Sequence, residues 1–329
     1  MIISEIIEKR HSKLPLLREK VLMIKNLSAA LDMFDDFKSE IVDSQGVPIV
    51  GGRYDTVIAK NPEMIYNLNA ISTEHCKNSI EQAKVTLDEA IKRFSRDSIN
   101  ISVVGHAKSG KSRFLQSVSN LPYTVISALD DFVYVRNVSL IEFDVRNSYY
   151  IESKEYLTGV ISKSDATIFM LYPLHLGGGG ITREIADAYC VISKKYNNKN
   201  LDKQIAWLIN YAPEHPRVQT TAYGCEVALS TLEKNMWKGE MKKIIDVSNQ
   251  KQVNEEFFIP FIEKLSTDLV EIDEQYLQCV SEAIESLKNE YIELFNKLNN
   301  VSSMCAAPLL QQYYRYFDVE KTVDINVKN

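Results

Sequence analysis

Eight consecutive residues, Gly105-His106-Ala107-Lys108-Ser109-Gly110-Lys111-Ser112, constrain this chain more than anything else in it. They match the pattern G-x-x-x-x-G-K-[ST] without deviation. The apolar run Ile99–Val104 leads into them, and Arg113-Phe114-Leu115-Gln116-Ser117-Val118 continues from them with helical character. Strand, glycine loop and helix start, in that order, form a cradle for phosphate oxygens. Gly105 and Gly110 permit a tight backbone path with N–H groups turned inward. The helix start adds unpaired N–H groups and the positive end of its dipole. Lys111 brings a point charge to the β- and γ-phosphates, and the Ser112 hydroxyl suits Mg²⁺. The sequence therefore predicts a nucleoside triphosphate site running from Gly105 through Arg113, with Lys111 as its catalytic cation.

The texture around this unit changes twice. Residues 1–97 read as helical, with a break around Gly46–Gly52. Before the break, Leu16, Leu22, Ile24, Leu27, Leu31 and Phe34 recur at helical spacing. After it, Asn61-Pro62-Glu63 is a helix start, and Ile65, Leu68, Ile80, Ala83, Leu87, Ala90, Ile91 and Phe94 carry one face for about nine turns. Residues 98–250 switch to short apolar runs: Ile99–Val104, Val138–Phe143, Ala166–Leu171, Ile205–Ile209 and a weaker one at 243–247. Such runs, separated by helices, read as strands buried on both faces. Residues 251–300 form one long helix whose seam includes Leu265, Leu269, Ile272, Tyr276, Val280, Ile284, Leu287, Tyr291, Leu294 and Leu298; it is expected to pack on the N-terminal helices. Residues 301–329 stay unassigned. The expected fold class is α/β: a P-loop sheet domain with helices on both faces, plus a helical bundle from the long terminal helices.

A formal charge of −6 argues against general affinity for nucleic acid, which rests on phosphate neutralisation. Cys76, Cys190, Cys225, Cys279 and Cys305 lie far apart, the pattern of reduced thiols in a cytoplasmic protein. The N-terminal ten residues mix acid and base, unlike a signal peptide, and no run approaches the ~20 apolar residues of a membrane span. Membrane contact, where present, is expected to be peripheral. His175 and His215 show no base-and-nucleophile pairing, Gly177–Gly180 reads as a flexible loop, and Trp207 reads as core. His106 is expected to face solvent. Lys108 is open to two readings, an ordinary loop charge or a charge turned toward phosphates, its own or a partner's. The second Mg²⁺ anchor is expected at Asp144, which closes the run Val138–Phe143; Glu142 is set aside on strand alternation.

In order along the chain come the strand-loop-helix unit, the Asp144 strand, the strand at 166–173 and the strand ending at Asn210, with long helices before and after. This arrangement resembles the bacterial dynamin-like GTPases of the dynamin superfamily, over about residues 60–300. The resemblance implies GTP and Mg²⁺ as ligands, with Val103–Ser112 as the phosphate motif and Asp144 as the aspartate of D-x-x-G. It places Asn210 at the start of N/T-K-x-D, Asp246 beside the base, and Thr124, the lone threonine between Ser112 and Asp144, in the Mg²⁺ shell. It also implies pairing of the nucleotide domain or the bundle with a second copy or another protein, and movement at a membrane. The departures are specific. Val145-Arg146-Asn147 lacks the D-x-x-G glycine, Pro213 stands where a carboxylate reads guanine, and Ala107 stands where dynamins carry a glutamine. Two alternatives therefore stay open: a nucleotide-binding scaffold with little turnover, and an ATP-dependent P-loop enzyme.

Overall fold

The computed structural model describes residues 3–119, 125–129, 132–135, 138–144, 163–173, 182–195, 201–214, 220–298 and 303–317. It divides into two compact units. One comprises Met1–His11 and Ser95–Glu274, the other Ser12–Phe94 and Gln275–Asn329. Two long helices, α1 (Ile3–Ser39) and α9 (Ile259–Leu298), contribute residues to both. The sequence segments 1–97 and 251–300 are thus each shared between the units.

In the first unit the described strands form one seven-stranded sheet of order β2-β3-β4-β1-β5-β6-β7. Five of them are parallel: β1 (Ile99–Gly105), β4 (Val138–Asp144), β5 (Ala166–Leu171), β6 (Ile205–Asn210) and β7 (Met241–Ile245). The expected α/β class is present, and β1 takes the centre, flanked by β4 and β5. β5 and β6 are buried at every residue, which is why their sequences read as unbroken apolar runs. The weak run expected at 243–247 is a strand two residues earlier. An addition to the expected sheet is the antiparallel edge made by β2 (Val125–Leu129) and β3 (Phe132–Val135), the latter paired with β4.

One face of the sheet is built from alternate residues Val104, Phe169, Leu171, Ile205, Trp207 and Ile209. They pack on Ile185, Ala188 and Ile192 of α6 (Arg183–Lys195), on Leu201 of the short α7 (Leu201–Gln204) and on Cys225, Ala228 and Leu232 of α8 (Ala222–Lys234). Trp207 stacks on Phe169 with ring centroids 4.4 Å apart, as a core residue should. The intervening residues Val103, Ile168, Met170 and Leu208 are fully buried too. A buried ion network pins the chain ends to this unit. Arg10 of α1 donates to Asp273 of α9 at 2.7 Å and to Asp165, just before β5, at 3.0 Å. Asp165 also accepts from the Asn100 N–H at 2.9 Å.

The second unit has a helical core from α1, α3 (Glu63–Asn69), α4 (Glu74–Phe94), α9 and α10 (Ser303–Tyr316), preceded at α3 by the short α2 (Asp55–Lys60). Leu27, Leu31, Phe34, Ile41, Leu68, Ala83, Ala90 and Leu287 are its most buried members. Three details differ from the sequence reading. Leu16 and Leu22 are exposed, because the buried stripe of α1 runs through Leu17, Ile24, Leu27, Leu31 and Phe34, and at 100° per residue the other two rotate off it. The nine-turn face is two helices, α3 and α4. Thr73 ends the link between them, its hydroxyl donating to Asp35 at 2.8 Å and its carbonyl accepting from Lys77 N at 3.0 Å to open α4. Leu269, although fully buried, belongs to the sheet unit. Among the described residues no helix is long and apolar enough to cross a membrane.

Candidate nucleotide site

β1 ends at Gly105 and α5 (Lys111–Ser119) begins six residues later, so the octapeptide lies at the carboxyl end of the central strand. Ligands of open parallel sheets bind at that edge. Gly105 has no room for a side chain: a Cβ there would meet the Met170 carbonyl at 2.5 Å and Ser109 Oγ at 2.8 Å. Gly110 is required twice over. Its φ of +98° is open to glycine, and a Cβ would meet Asn210 Nδ2 at 2.6 Å. The Ser109 N–H donates to the His106 carbonyl at 3.1 Å, and the Phe114 N–H opens the helical ladder on Gly110 at 2.8 Å. The N–H groups of Lys111, Ser112 and Arg113 precede that first helical bond, the usual orphans of a helix start. Lys108 has a φ of +65°, a region that costs a non-glycine residue about 1–2 kcal/mol.

Lys111 is buried, and its ammonium donates to the carbonyls of Gly105 at 3.0 Å and His106 at 2.8 Å. It is thereby a cation fixed by its own loop, 3.8 Å from Glu142 Oε1. The Ser112 hydroxyl donates to the same oxygen at 3.1 Å. Glu142 sits opposite Val103 on β4, and Asp144 opposite Gly105. The expectation that alternation turns Glu142 away is overturned, because its carboxylate meets both the Ser112 hydroxyl and the Lys111 ammonium. The side chain of Asp144, and all of Thr124, Val145–Asn147, His175, Gly177–Gly180 and His215, lie outside the described residues.

Asn210, at the end of β6, ties three segments together. Its amide donates to the Ser109 carbonyl at 3.1 Å, and its Oδ1 accepts from the Val247 N–H at 3.5 Å. Behind it the Cys225 thiol faces the Asn210 carbonyl at 4.0 Å; burial pushes this thiol up to about 11, so it stays neutral and unreactive at pH 7. α5 is anchored by Phe114, packed edge-on against Phe257 and Phe258 of a π-helical turn, Val253–Phe258, and by Ser117 Oγ donating to the Val247 carbonyl at 2.9 Å. Asp246 accepts from both the N–H and the hydroxyl of Ser248, at 2.8 and 2.6 Å.

A cleft of about 750 Å³ opens over this assembly. Its lining brings together most of the expected residues: Ala107, Lys108, Gly110, Lys111, Ser112, Arg113, Asn210 and Asp246. Glu142, Pro213, Glu214 and Ser248 join them, none of which composition or periodicity marks out. Ser109 is buried beneath the loop rather than in the cleft. His106, expected to face solvent, is buried, with Nε2 2.7 Å from the Thr182 hydroxyl at the head of α6. The wall is polar and cationic on the loop side. It carries hard oxygen donors at Ser112 and Glu142, and it ends on Pro213 and Asp246 at the far side.

No family model and no curated protein matches this chain. Among solved structures it is similar to the Arl6 BBS3 small GTPase of Trypanosoma brucei with bound GppNp, at 15% identity over 52% of this chain and 98% of that one, TM-score 0.33. It is similar to the ADP-ribosylation-factor-like GTP-binding protein, small COPII coat GTPase Sar1, of Encephalitozoon cuniculi in complex with GDP, at 12% identity over 67% and 98%, TM-score 0.36. A third is a GTP-binding protein of Sulfolobus solfataricus in complex with GDP, at 14% identity over 63% and 71%, TM-score 0.34.

Proposed function

We propose that this chain binds and hydrolyses a nucleoside triphosphate, GTP in the first place, as the dynamin-like GTPases it resembles do. The observation that carries the reading is the buried Lys111 ammonium held by its own loop carbonyls, beside the Ser112–Glu142 pair and under an open cleft. The triphosphate lies along 105–113, its oxygens taken by the orphan N–H groups of α5 and by Lys111. Ser112 and Glu142 supply hydroxyl and carboxylate oxygens 3.1 Å apart, a donor pair suited to Mg²⁺. Among the described residues no group of three His, Cys, Asp or Glu could hold a metal alone, which agrees with an ion shared between protein and phosphates. When bound, Mg²⁺ neutralises charge on the phosphate oxygens. Asp144 and Thr124 are secondary candidates for its surroundings.

Asn210 steadies the loop from the base side, and Asp246, which shares the cleft lining with Glu214, is the carboxylate assigned to a guanine ring where Pro213 has none. On the same reading, nucleotide state acts on α1 and α9, which supply residues to both units, and through them on a second copy, another protein or a peripheral membrane surface. A binding scaffold without turnover is the second reading, favoured by Ala107 and Pro213 in the cleft wall.

Lys111→Ala tests the site. Loss of a charged hydrogen-bond donor is expected to weaken triphosphate binding on the order of 100-fold. The carbonyls left behind cost about 1–3 kcal/mol, so the chain stays folded. Unchanged affinity for a fluorescent GTP analogue refutes the site. Multiple-turnover phosphate release separates enzyme from scaffold, and preference for ATP in direct competition ends the guanine assignment.

A further inference from the structure

We infer that the helical unit pairs with a second copy of this chain through one face of α1, the two helices running antiparallel about a two-fold axis near residue 27. Arg18, Leu22, Lys25, Ala29, Met33 and Asp36 are all exposed. At 100° per residue they fall within about 80° of one another, a single stripe. Leu22 and Met33 are 55% and 58% exposed, large apolar side chains on the solvent side of a helix whose opposite side is core. Arg18, Lys25 and Asp36 have no side-chain partner among the described residues.

The stripe complements itself when reversed. An antiparallel copy sets Arg18 opposite Asp36, Leu22 opposite Met33 and Lys25 opposite Ala29, every pair centred close to residue 27. The charges of the helix are divided in the same sense. Residues 12–25 hold four bases against one acid, and residues 26–39 hold three acids against one base. Antiparallel pairing therefore lays the basic half of each copy on the acidic half of the other, while parallel pairing sets like on like. Beside the stripe a groove of about 460 Å³ separates α1 from α4, lined by Ser28, Ala29 and Asp32 of the one and Lys84, Leu87 and Asp88 of the other. Small residues there leave space for the side-chain ridge of a second helix. Asp32 holds Lys77 at 2.9 Å, and its carboxylate has capacity left for Lys25 of the second copy. A foreign helix would need the same order of base, apolar residue and acid; a second copy supplies it by symmetry, as an isologous contact.

The stripe extends about 27 Å along each helix, at the small end of stable interfaces, so the expected Kd is roughly 10–100 µM. Sedimentation velocity of the full chain without nucleotide is expected to show monomer at about 1 µM and dimer at several hundred micromolar. Arg18→Glu and Asp36→Arg each place like charges together twice in the pair, and each is expected to weaken association at least about 10-fold. An equimolar mixture of the two variants restores opposite charges at both places and is expected to associate as the wild type does. Lys13→Glu, an equal change of net charge off the stripe, is expected to leave Kd unaltered. Circular dichroism of the exposed-site variants is expected to match the wild type, so loss of association is not loss of fold. A wild type that stays monomeric at several hundred micromolar overturns the assignment, as does a mixture no tighter than its components. Dimers that persist in both variants and vanish in Lys111→Ala belong to the nucleotide domain, and they overturn it equally.

Discussion

Glu142 stands beside Ser112 on β4, two positions before Asp144, the residue expected to hold the metal there. The strand runs parallel to β1, so each step along it moves a side chain about 3.3 Å relative to the loop. Glu142, one such pair of residues short of the strand end, has the extra methylene to bring its carboxylate to the Ser112 hydroxyl. Glu142→Gln is accordingly expected to raise the Mg²⁺ concentration for half-maximal triphosphate binding by about 10–100-fold, while Asp144→Asn changes it less. A titration in which the Asp144 variant suffers more would remove Glu142 from the metal site. The phosphate loop was legible because its contacts are local: Lys111 bonds to residues five and six positions back. The partners of the loop were not. Asn210 reaches Ser109 across 101 positions, and only the folded sheet brings strand ends together. His106 illustrates the same limit, since its burial depends on α6.

At the level of elements, strands buried on both faces declared themselves as continuous apolar runs, β1, β5 and β6 most clearly, whereas the largely half-buried β7 gave only a weak run displaced by two residues. The β2–β3 pair was not read as strand, although Val125–Leu129 and Phe132–Val135 are themselves short apolar runs set two residues apart, a hairpin spacing. Helix faces were read less well than strands. A tolerance of one residue in a 3.6-residue period rotates a side chain by about 100°, enough to move Leu22 from core to solvent. The two leucines Leu287 and Leu22 turn this into a measurement. Leu287 is fully buried in the helical core, so Leu287→Asp places an unpaired charge there and is expected to cost more than about 4 kcal/mol. Leu22→Asp, at 55% exposure, is expected to stay within about 0.5 kcal/mol. Helix loss followed by circular dichroism distinguishes them. Equal effects would mean that α1 packs on its other face. Both tryptophans, Trp207 and Trp237, belong to the sheet unit, so their emission reports whether that unit survives either change.

The whole molecule depends on residues that no local pattern joins. Arg10, Asp165 and Asp273 are separated by 155 and 263 positions from the arginine, yet they meet in a buried network that makes the first helix and the last part of the sheet unit interdependent. Arg10 is 1% exposed and Asp165 fully buried, so neither charge is screened by water. The value of such a network lies less in its attraction than in the penalty for breaking it: without Arg10, Asp273 loses its guanidinium and Asp165 keeps only Arg96 at 3.5 Å and the Asn100 N–H. Arg10→Ala is therefore expected to destabilise the sheet unit by about 3–5 kcal/mol, a large share of the roughly 5–15 kcal/mol that a domain holds. Adding Asp273→Asn to that variant removes one of the stranded charges and is expected to recover part of the loss, whereas the same change in the wild type destabilises. Urea titration followed by tryptophan emission gives both numbers, because the reporters sit in the unit under test. If Arg10→Ala shifts the midpoint by less than about 0.5 kcal/mol, or if the second substitution simply adds to the first, the three residues are not one network.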